Sequence, residues 1–218
     1  MKLSENTMNV LKNFASINSG VVLNKGNVQR TISPEKSILV EATVEDDLPE
    51  KFGVYDLNQF LGNVTTMKNP ELTFTKECVT MSDSDEFALT YLSASANLII
   101  SPPEKELVLK NVDCSFTLPN ATLQKLLKIA TMNGLPNLSV VGANGELRLK
   151  IHEKANDTSN HGSVKIGEYA GADFTATFKT ENLKLLPDDY NVELQKNAFA
   201  KFVNTAGNLK YFIALETK

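Results

Sequence analysis

The stretch Leu118–Gly134, LPNATLQKLLKIATMNG, reads as a single amphipathic helix. Pro119 suits a first turn, where a missing N–H costs nothing, and Asn120 suits a cap. Gly134 supplies a stop. At helical spacing Leu123, Leu126, Leu127, Ile129 and Ala130 fall on one side, with Ala121, Gln124, Lys125, Lys128 and Thr131 on the other. The first side is a core face. The second is neutral or positive and holds no acid, although the chain of 218 residues carries a formal net charge of -4. Charge is therefore sorted by location.

Upstream, Ser4–Asn18, SENTMNVLKNFASIN, predicts a second helix of the same kind. Met8, Leu11, Phe14 and Ala15 make its apolar stripe, with Asn9, Lys12, Asn13 and Ser16 opposite. Strand-like segments follow at Val21–Leu23, Val28–Ile32 and Ile38–Thr43, the first two joined by an Asn24–Asn27 hairpin turn. Phe52–Tyr55 reads as a short strand, and Asp56 caps a short helix, LNQFLGNV, weakened by Gly62. Further strands are expected at Leu72–Thr75, Val79–Ser82 and Phe87–Leu92. Downstream of the opening stretch the same order recurs. A hairpin spans Leu138–His152, strands lie at Val164–Tyr169 and Phe174–Phe178, and Thr180 is placed to cap a short helix, ENLKLL, before Pro187. Closing strands are expected at Val192–Gln195, Phe199–Val203 and Leu209–Glu216.

Duplication of an α+β unit explains this recurrence. Two helices per copy, each with one apolar face, would lie side by side on an antiparallel sheet. Leu92–Lys110 contains Pro102-Pro103 and a charge cluster, which suits an extended connector. The expected division is an N-terminal domain over 1–92, a connector over 93–110 and a C-terminal domain over 111–218.

Composition narrows the function. Hydrophobic residues make up 42% and charged residues 22% of the chain, ordinary values for a globular core. An acidic balance argues against a conventional nucleic-acid-binding domain, which is usually basic, but leaves room for positive charge confined to one surface. Met1–Gly20 lacks the apolar run of a secretory signal, and no stretch is apolar enough to span a membrane. Cys78 and Cys114 are expected to be free thiols in a reducing cytoplasm.

Catalytic signatures are missing. There is no Gly-rich phosphate loop and no Gly-x-Ser-x-Gly elbow. His152 and His161 flank a polar loop without the close ligands that a zinc site needs, so a structural role is expected, with no metal and no cofactor. The acidic pairs Asp46-Asp47, Asp83/Asp85 and Asp188-Asp189 lie between strands, where Asp serves turn chemistry. The lysines carry more information. Lys12, Lys125 and Lys128 lie on the polar faces of the two long helices, Lys68 follows the first short helix, and Lys184 falls within the second. Those faces hold one acid, Glu5, near a helix N-terminus that favours it. Any single lysine is explained by solvation alone. The matched set is the pattern of a surface that meets phosphates weakly and without sequence preference.

Three segments, MKLSENTMNVLKNFASINSGVVL (1–23), FGVYDLNQFLGNV (52–64) and YFIALE (211–216), resemble the DNA polymerase sliding clamps of T-even-type bacteriophages. The resemblance implies the DNA clamp fold, two duplicated domains assembling as a homotrimeric ring with sheets outside and helices lining a hole. It implies double-stranded DNA held topologically, a replicative DNA polymerase and a clamp loader as partners, no enzymatic activity, and a location in the cytoplasm of the infected bacterial host. Lys12, Lys68, Lys125, Lys128 and Lys184 would face the DNA. Subunits would pair through edge strands at Phe87–Leu92, with Phe87, Leu89 and Tyr91, and at Ser163–Glu168, with Val164 and Ile166. A partner-peptide pocket would draw on Leu98, Ile99 and Ile100 of the connector and on Tyr211, Phe212 and Leu215. Ordinary core or strand packing explains the last three equally well. The alternative to a clamp is a structural or assembly module of a phage particle.

Overall fold

The computed structural model describes residues 1–156 and 158–216. The chain divides into two compact units, Met1–Glu106 and Leu107–Lys218, so most of the connector belongs with the first. In unit 1 the order is α1 (Glu5–Ile17), β1 (Val21–Leu23), β2 (Gly26–Ile32), β3 (Ile38–Leu48), β4 (Phe52–Val54), α2 (Leu57–Thr66), β5 (Glu71–Phe74), β6 (Cys78–Ser82) and β7 (Ala88–Leu92). In unit 2 it is β8 (Cys114–Leu118), α3 (Asn120–Asn133), β9 (Asn137–Ala143), β10 (Glu146–His152), β11 (Gly162–Glu168), β12 (Phe174–Lys179), β13 (Tyr190–Leu194), β14 (Phe199–Asn204) and β15 (Leu209–Ala214). The class is α+β, and the strands pair antiparallel within each unit.

The two units repeat one plan. In unit 2, β8 pairs with β13 ahead of the long helix. Unit 1 has no strand there, but Met1 and Leu72 exchange backbone hydrogen bonds of 2.7 Å in both directions, a stub of the same pairing. Each long helix also starts under a carboxylate brought from elsewhere. Asp46 accepts the Ser4 N–H at 2.7 Å, and Asp189 accepts the Asn120 N–H at 2.7 Å. Partial burial pushes the Asp46 carboxyl up, but hydrogen bonds from Thr7 and Ser4 outweigh this and hold it below the usual range. Asn120 thus opens α3 as a helical residue, and Pro119 is the cap position, without a side-chain oxygen of its own to offer. Gly134 ends α3 in the left-handed region at φ 64°, as its lack of a Cβ allows.

In unit 1, α1 buries Val10, Leu11, Phe14 and Ile17, and α2 buries Leu57, Phe60, Leu61 and Val64. α1 packs on β3 and against α2, and the Phe60 ring meets Tyr91 of β7 edge-on at 5.3 Å. Unit 2 encloses Phe178, Tyr190, Phe202 and Tyr211, with Phe202 edge-on to both Phe178 and Tyr190. Deep burial pushes the Tyr190 and Tyr211 hydroxyls far above their ordinary range, so both stay neutral donors and acceptors.

Three expectations are corrected. β1 pairs along β4, with Val21 opposite Val54, and not in a hairpin with β2. The fully buried amide of Gln29 stands in for that ladder, accepting from Asn24 N at 2.8 Å and donating to the carbonyls of Asn24 and Gly26. The polar run from Asp46 continues β3 as far as Leu48, because Val44 and Leu48 alternate inward. The short helix expected after Thr180 is only a 3-10 turn over Thr180–Asn182. After it the chain is irregular, with Leu183 at φ -83° and ψ 53°, and Leu183 and Leu185 are both buried on either side of an exposed Lys184. Among the described residues unit 2 therefore holds one α-helix where two were expected.

Candidate nucleic-acid and partner surfaces

The polar face of α3 stands out from the sheet as its sequence pattern requires. Leu123, Leu126 and Ala130 are buried, while Gln124, Lys125, Lys128 and Thr131 are exposed. Lys125 and Lys128 lie one turn apart on the same side. Ile129 departs from its expected place on the core face. It is 37% exposed, and Met132 one turn on is more exposed still. On α1, Lys12 is exposed between the buried Leu11 and the half-buried Asn13.

The other two predicted lysines are exposed but not on helices. Lys68 follows α2 in a turn, with its Nζ 3.5 Å from Asp85 Oδ1, and its carbonyl accepts the Ser84 N–H at 3.2 Å. It is thus fastened to the acidic β6–β7 turn. Lys184 lies in the irregular segment that follows the 3-10 turn.

The connector is held against unit 1 by side chains that sequence reasoning missed. The buried Asn18 amide donates to Ile32 O at 2.9 Å and to Ile100 O at 3.0 Å. Arg30 Nη1 donates to Pro103 O at 3.0 Å and its Nε lies 3.5 Å from Glu41 Oε2. Gly53 and Ala94 join through a 2.8 Å backbone hydrogen bond, and any Cβ at position 53 would collide with the Ala94 carbonyl. Ile99, only 7% exposed, packs over Gly20 and Gly53, whereas Leu98 and Ile100 are exposed. The three connector residues line a cavity of about 240 Å³ with Pro34 and Tyr55. An exposed apolar pair around a buried anchor is a surface suited to an apolar peptide.

Tyr211, Phe212 and Leu215 are all buried. The Tyr211 hydroxyl accepts the Leu186 N–H at 3.1 Å, and the Phe212 ring lies 6.1 Å from Phe199. All three side chains belong to the packing of unit 2.

β7 and β11 are both edge strands, of the sheets β5-β6-β7 and β11-β10-β9-β12. Ser93 N bonds Glu77 O and Asp83 N bonds Phe87 O. Alternation along an antiparallel ladder then turns the N–H groups of Ala88, Thr90 and Leu92 away from β6. Leu89 and Tyr91 are half-buried against their own unit, Ala88, Thr90 and Leu92 alternate with them on the exposed face, with Leu92 72% exposed, and Phe87 just ahead of the strand is also exposed. On β11, Val164 and Ile166 are half-buried, and Lys165 bridges Glu146 and Glu168 at 3.3 and 2.6 Å.

Among the described residues no three His, Cys, Asp or Glu side chains cluster to hold a metal, and no helix is long and apolar enough to cross a membrane. His152 is engaged by Ser139 Oγ at 2.7 Å, which also meets Thr177 Oγ1 at 2.8 Å. Burial pushes the Cys114 thiol above its ordinary range, partly offset by the nearby Lys196.

Comparisons with known proteins agree with this architecture. The family described as DNA polymerase processivity factor matches residues 2–95, and that described as gp45 sliding clamp, C terminal, matches residues 115–217. A sliding clamp of Vibrio phage KVP40 is 32% identical over 99% of this chain and 99% of its own length. A sliding clamp of Escherichia phage RB69 is 26% identical over 99% of this chain and 97% of its own. The fold also matches a solved structure of A. fulgidus PCNA with the C-terminal region of FEN-1 bound, with a TM-score of 0.72 at 14% identity, covering 100% of this chain and 97% of that one. Two family matches in tandem and relatives aligned end to end place the chain in the bacteriophage sliding-clamp family of DNA polymerase processivity factors.

Proposed function

We propose that this sliding clamp closes as a homotrimeric ring around duplex DNA in the cytoplasm of the infected host and tethers the replicative polymerase, without enzymatic activity of its own. The observation that carries this reading is the exposed lysine set on α1 and α3 of an acidic chain. A ring holds DNA topologically, so a few phosphate contacts centre the duplex and tighter ones would hinder sliding. The acidic remainder of the surface repels DNA from the wrong side. Head-to-tail pairing of β7 with β11 of the next subunit would close the ring, since both edges carry unpaired backbone groups. A clamp loader would open it there. The connector cavity beside Leu98, Ile99 and Ile100 would take an apolar peptide of the polymerase.

Lys12, Lys125 and Lys128 are the strongest DNA-facing residues, because they stand exposed on the polar faces of α1 and α3. Lys184 joins them by its exposure. Lys68, already paired to Asp85, contributes less. The test is primer extension on loaded circular template at physiological salt. Lys125→Glu with Lys128→Glu should shorten products severalfold while sedimentation still shows a trimer. Lys68→Glu should have a smaller effect. The protein should also be retained on circular DNA and lost on linearisation. Retention after linearisation, or a monomer in sedimentation, would overturn the ring.

A further inference from the structure

The connector residues of unit 1 line two cavities, and Ile99 is common to both. The first is the one beside Leu98 and Ile100 described above. The second measures about 360 Å³, and Arg30 and Lys51 line it together with Asn24, Ser101 and Glu104. The two differ in charge. Asp56 is the charged residue of the first. The second sets two cations against one acid, Glu104.

Arg30 is fixed before any ligand arrives. Its Nη1 donates to Pro103 O at 3.0 Å, and its Nε lies 3.5 Å from Glu41 Oε2, which answers one side of the guanidinium. A guanidinium carries five N–H donors in a rigid fork. Among the described residues Arg30 Nη2 donates no hydrogen bond. The side chain is only 18% exposed, so a charge-assisted bond to it competes little with water. Lys51 stands in the turn between β3 and β4, exposed and outside any ion pair among the described residues.

We infer that Arg30 and Lys51 form an acid-reading subsite for the apolar peptide that docks beside Leu98 and Ile100, with an aspartate or glutamate of that peptide accepting from Arg30 Nη2 and Lys51 Nζ. This rests on the reading of the connector cavity as a peptide pocket. Charge complementarity carries it, since the two cations gather at one cavity of a chain whose net charge is -4. Asp56 settles which way the peptide lies. Its Oδ1 accepts the Gln59 N–H, and its charge disfavours a second carboxylate in the first cavity. The acid is therefore directed to the Arg30 side, and the peptide binds in one orientation. A single-stranded nucleic acid would also seek cations, but it needs aromatic faces on which bases stack, and no aromatic side chain lines this cavity.

The test starts from a phage-displayed random peptide library selected on the intact protein. Recovered peptides should combine apolar residues with an aspartate or glutamate. The tightest is then made in two forms, with that acid and with its amide. Both are titrated by fluorescence anisotropy against the parent protein, Lys51→Glu and Leu98→Glu. The parent should bind the acid form about fivefold more tightly than the amide form. Lys51→Glu should erase that preference, keep its affinity for the amide form and, because Lys51 is exposed, keep the parent Tm. Leu98→Glu should abolish binding of both forms. If it does, but the recovered peptides lack an acid or Lys51→Glu keeps the preference, the subsite is overturned and the pocket stands. If no peptide is recovered, or binding survives Leu98→Glu, the connector pocket falls and the subsite with it. Displacement of the peptide by a short oligodeoxythymidylate, lost in Lys51→Glu, would give the two cations to phosphate and equally overturn the inference.

Discussion

The side-chain amide of Asn18 donates to the carbonyl oxygen of Ile100, 3.0 Å away, and so ties the end of α1 to the connector 82 residues later in the chain. The same amide bonds Ile32 O, and its oxygen accepts the Gly20 N–H at 3.2 Å. One buried side chain thus registers a helix end, a strand end and the connector. Asn18→Ala leaves these backbone groups unpaired and should cost about 1–3 kcal/mol in denaturant unfolding. Hydrogen exchange over residues 96–101 should rise more than exchange in β3. Equal change in both would mean that Asn18 does not fasten the connector.

Phe202 is nearly fully buried in unit 2, and its ring meets Phe178 and Tyr190 edge-on at 5.9 and 6.4 Å. Phe202→Ala removes the shared partner of two aromatic rings and leaves a cavity. The expected loss is about 3–5 kcal/mol by urea denaturation. Phe202→Leu fills most of that volume and should cost clearly less.

His152 couples stability to pH. Burial holds its pKa below the ordinary histidine value, reinforced by Lys150 and partly offset by Glu216. A lowered value means that the unfolded chain binds the proton more readily. The contribution is therefore fully present above about pH 6.5 and is lost as pH falls through the folded value. Between about pH 7.5 and pH 5.5 the parent protein should lose more Tm than His152→Gln, which cannot titrate. Equal losses would assign the acid sensitivity to other groups.

Thr90 lies in β7 with its N–H turned away from β6, as the flanking hydrogen bonds require. Proline there removes an outward donor and leaves the β6–β7 ladder intact. Thr90→Pro should keep a native near-UV circular dichroism spectrum and sediment as a monomer at concentrations where the parent protein forms the proposed trimer. A trimer with unchanged stability would exclude β7 from the subunit contact.

The long helices, the duplication and the lysine faces were legible in the residue order. Their signals are local: a period of 3.6, a cap, a glycine stop, and a second copy of the same sequence of elements. The exposed Lys125 and Lys128 and the buried Leu123 and Leu126 follow from that period alone. The structure decided what depends on contacts distant in sequence. β1 lies along β4, about 30 residues on, and the Gln29 amide ties the Asn24–Gly26 turn between β1 and β2. Residues 183–186 are irregular, with Leu183 and Leu185 both buried, and this burial overrides the helical appearance of ENLKLL. Lys68 meets Asp85, Asn18 meets Ile100, and Tyr211 is enclosed with its hydroxyl on Leu186. No period in the chain announces such partners, because a strand or a buried polar group takes whichever partner the assembled core brings within reach.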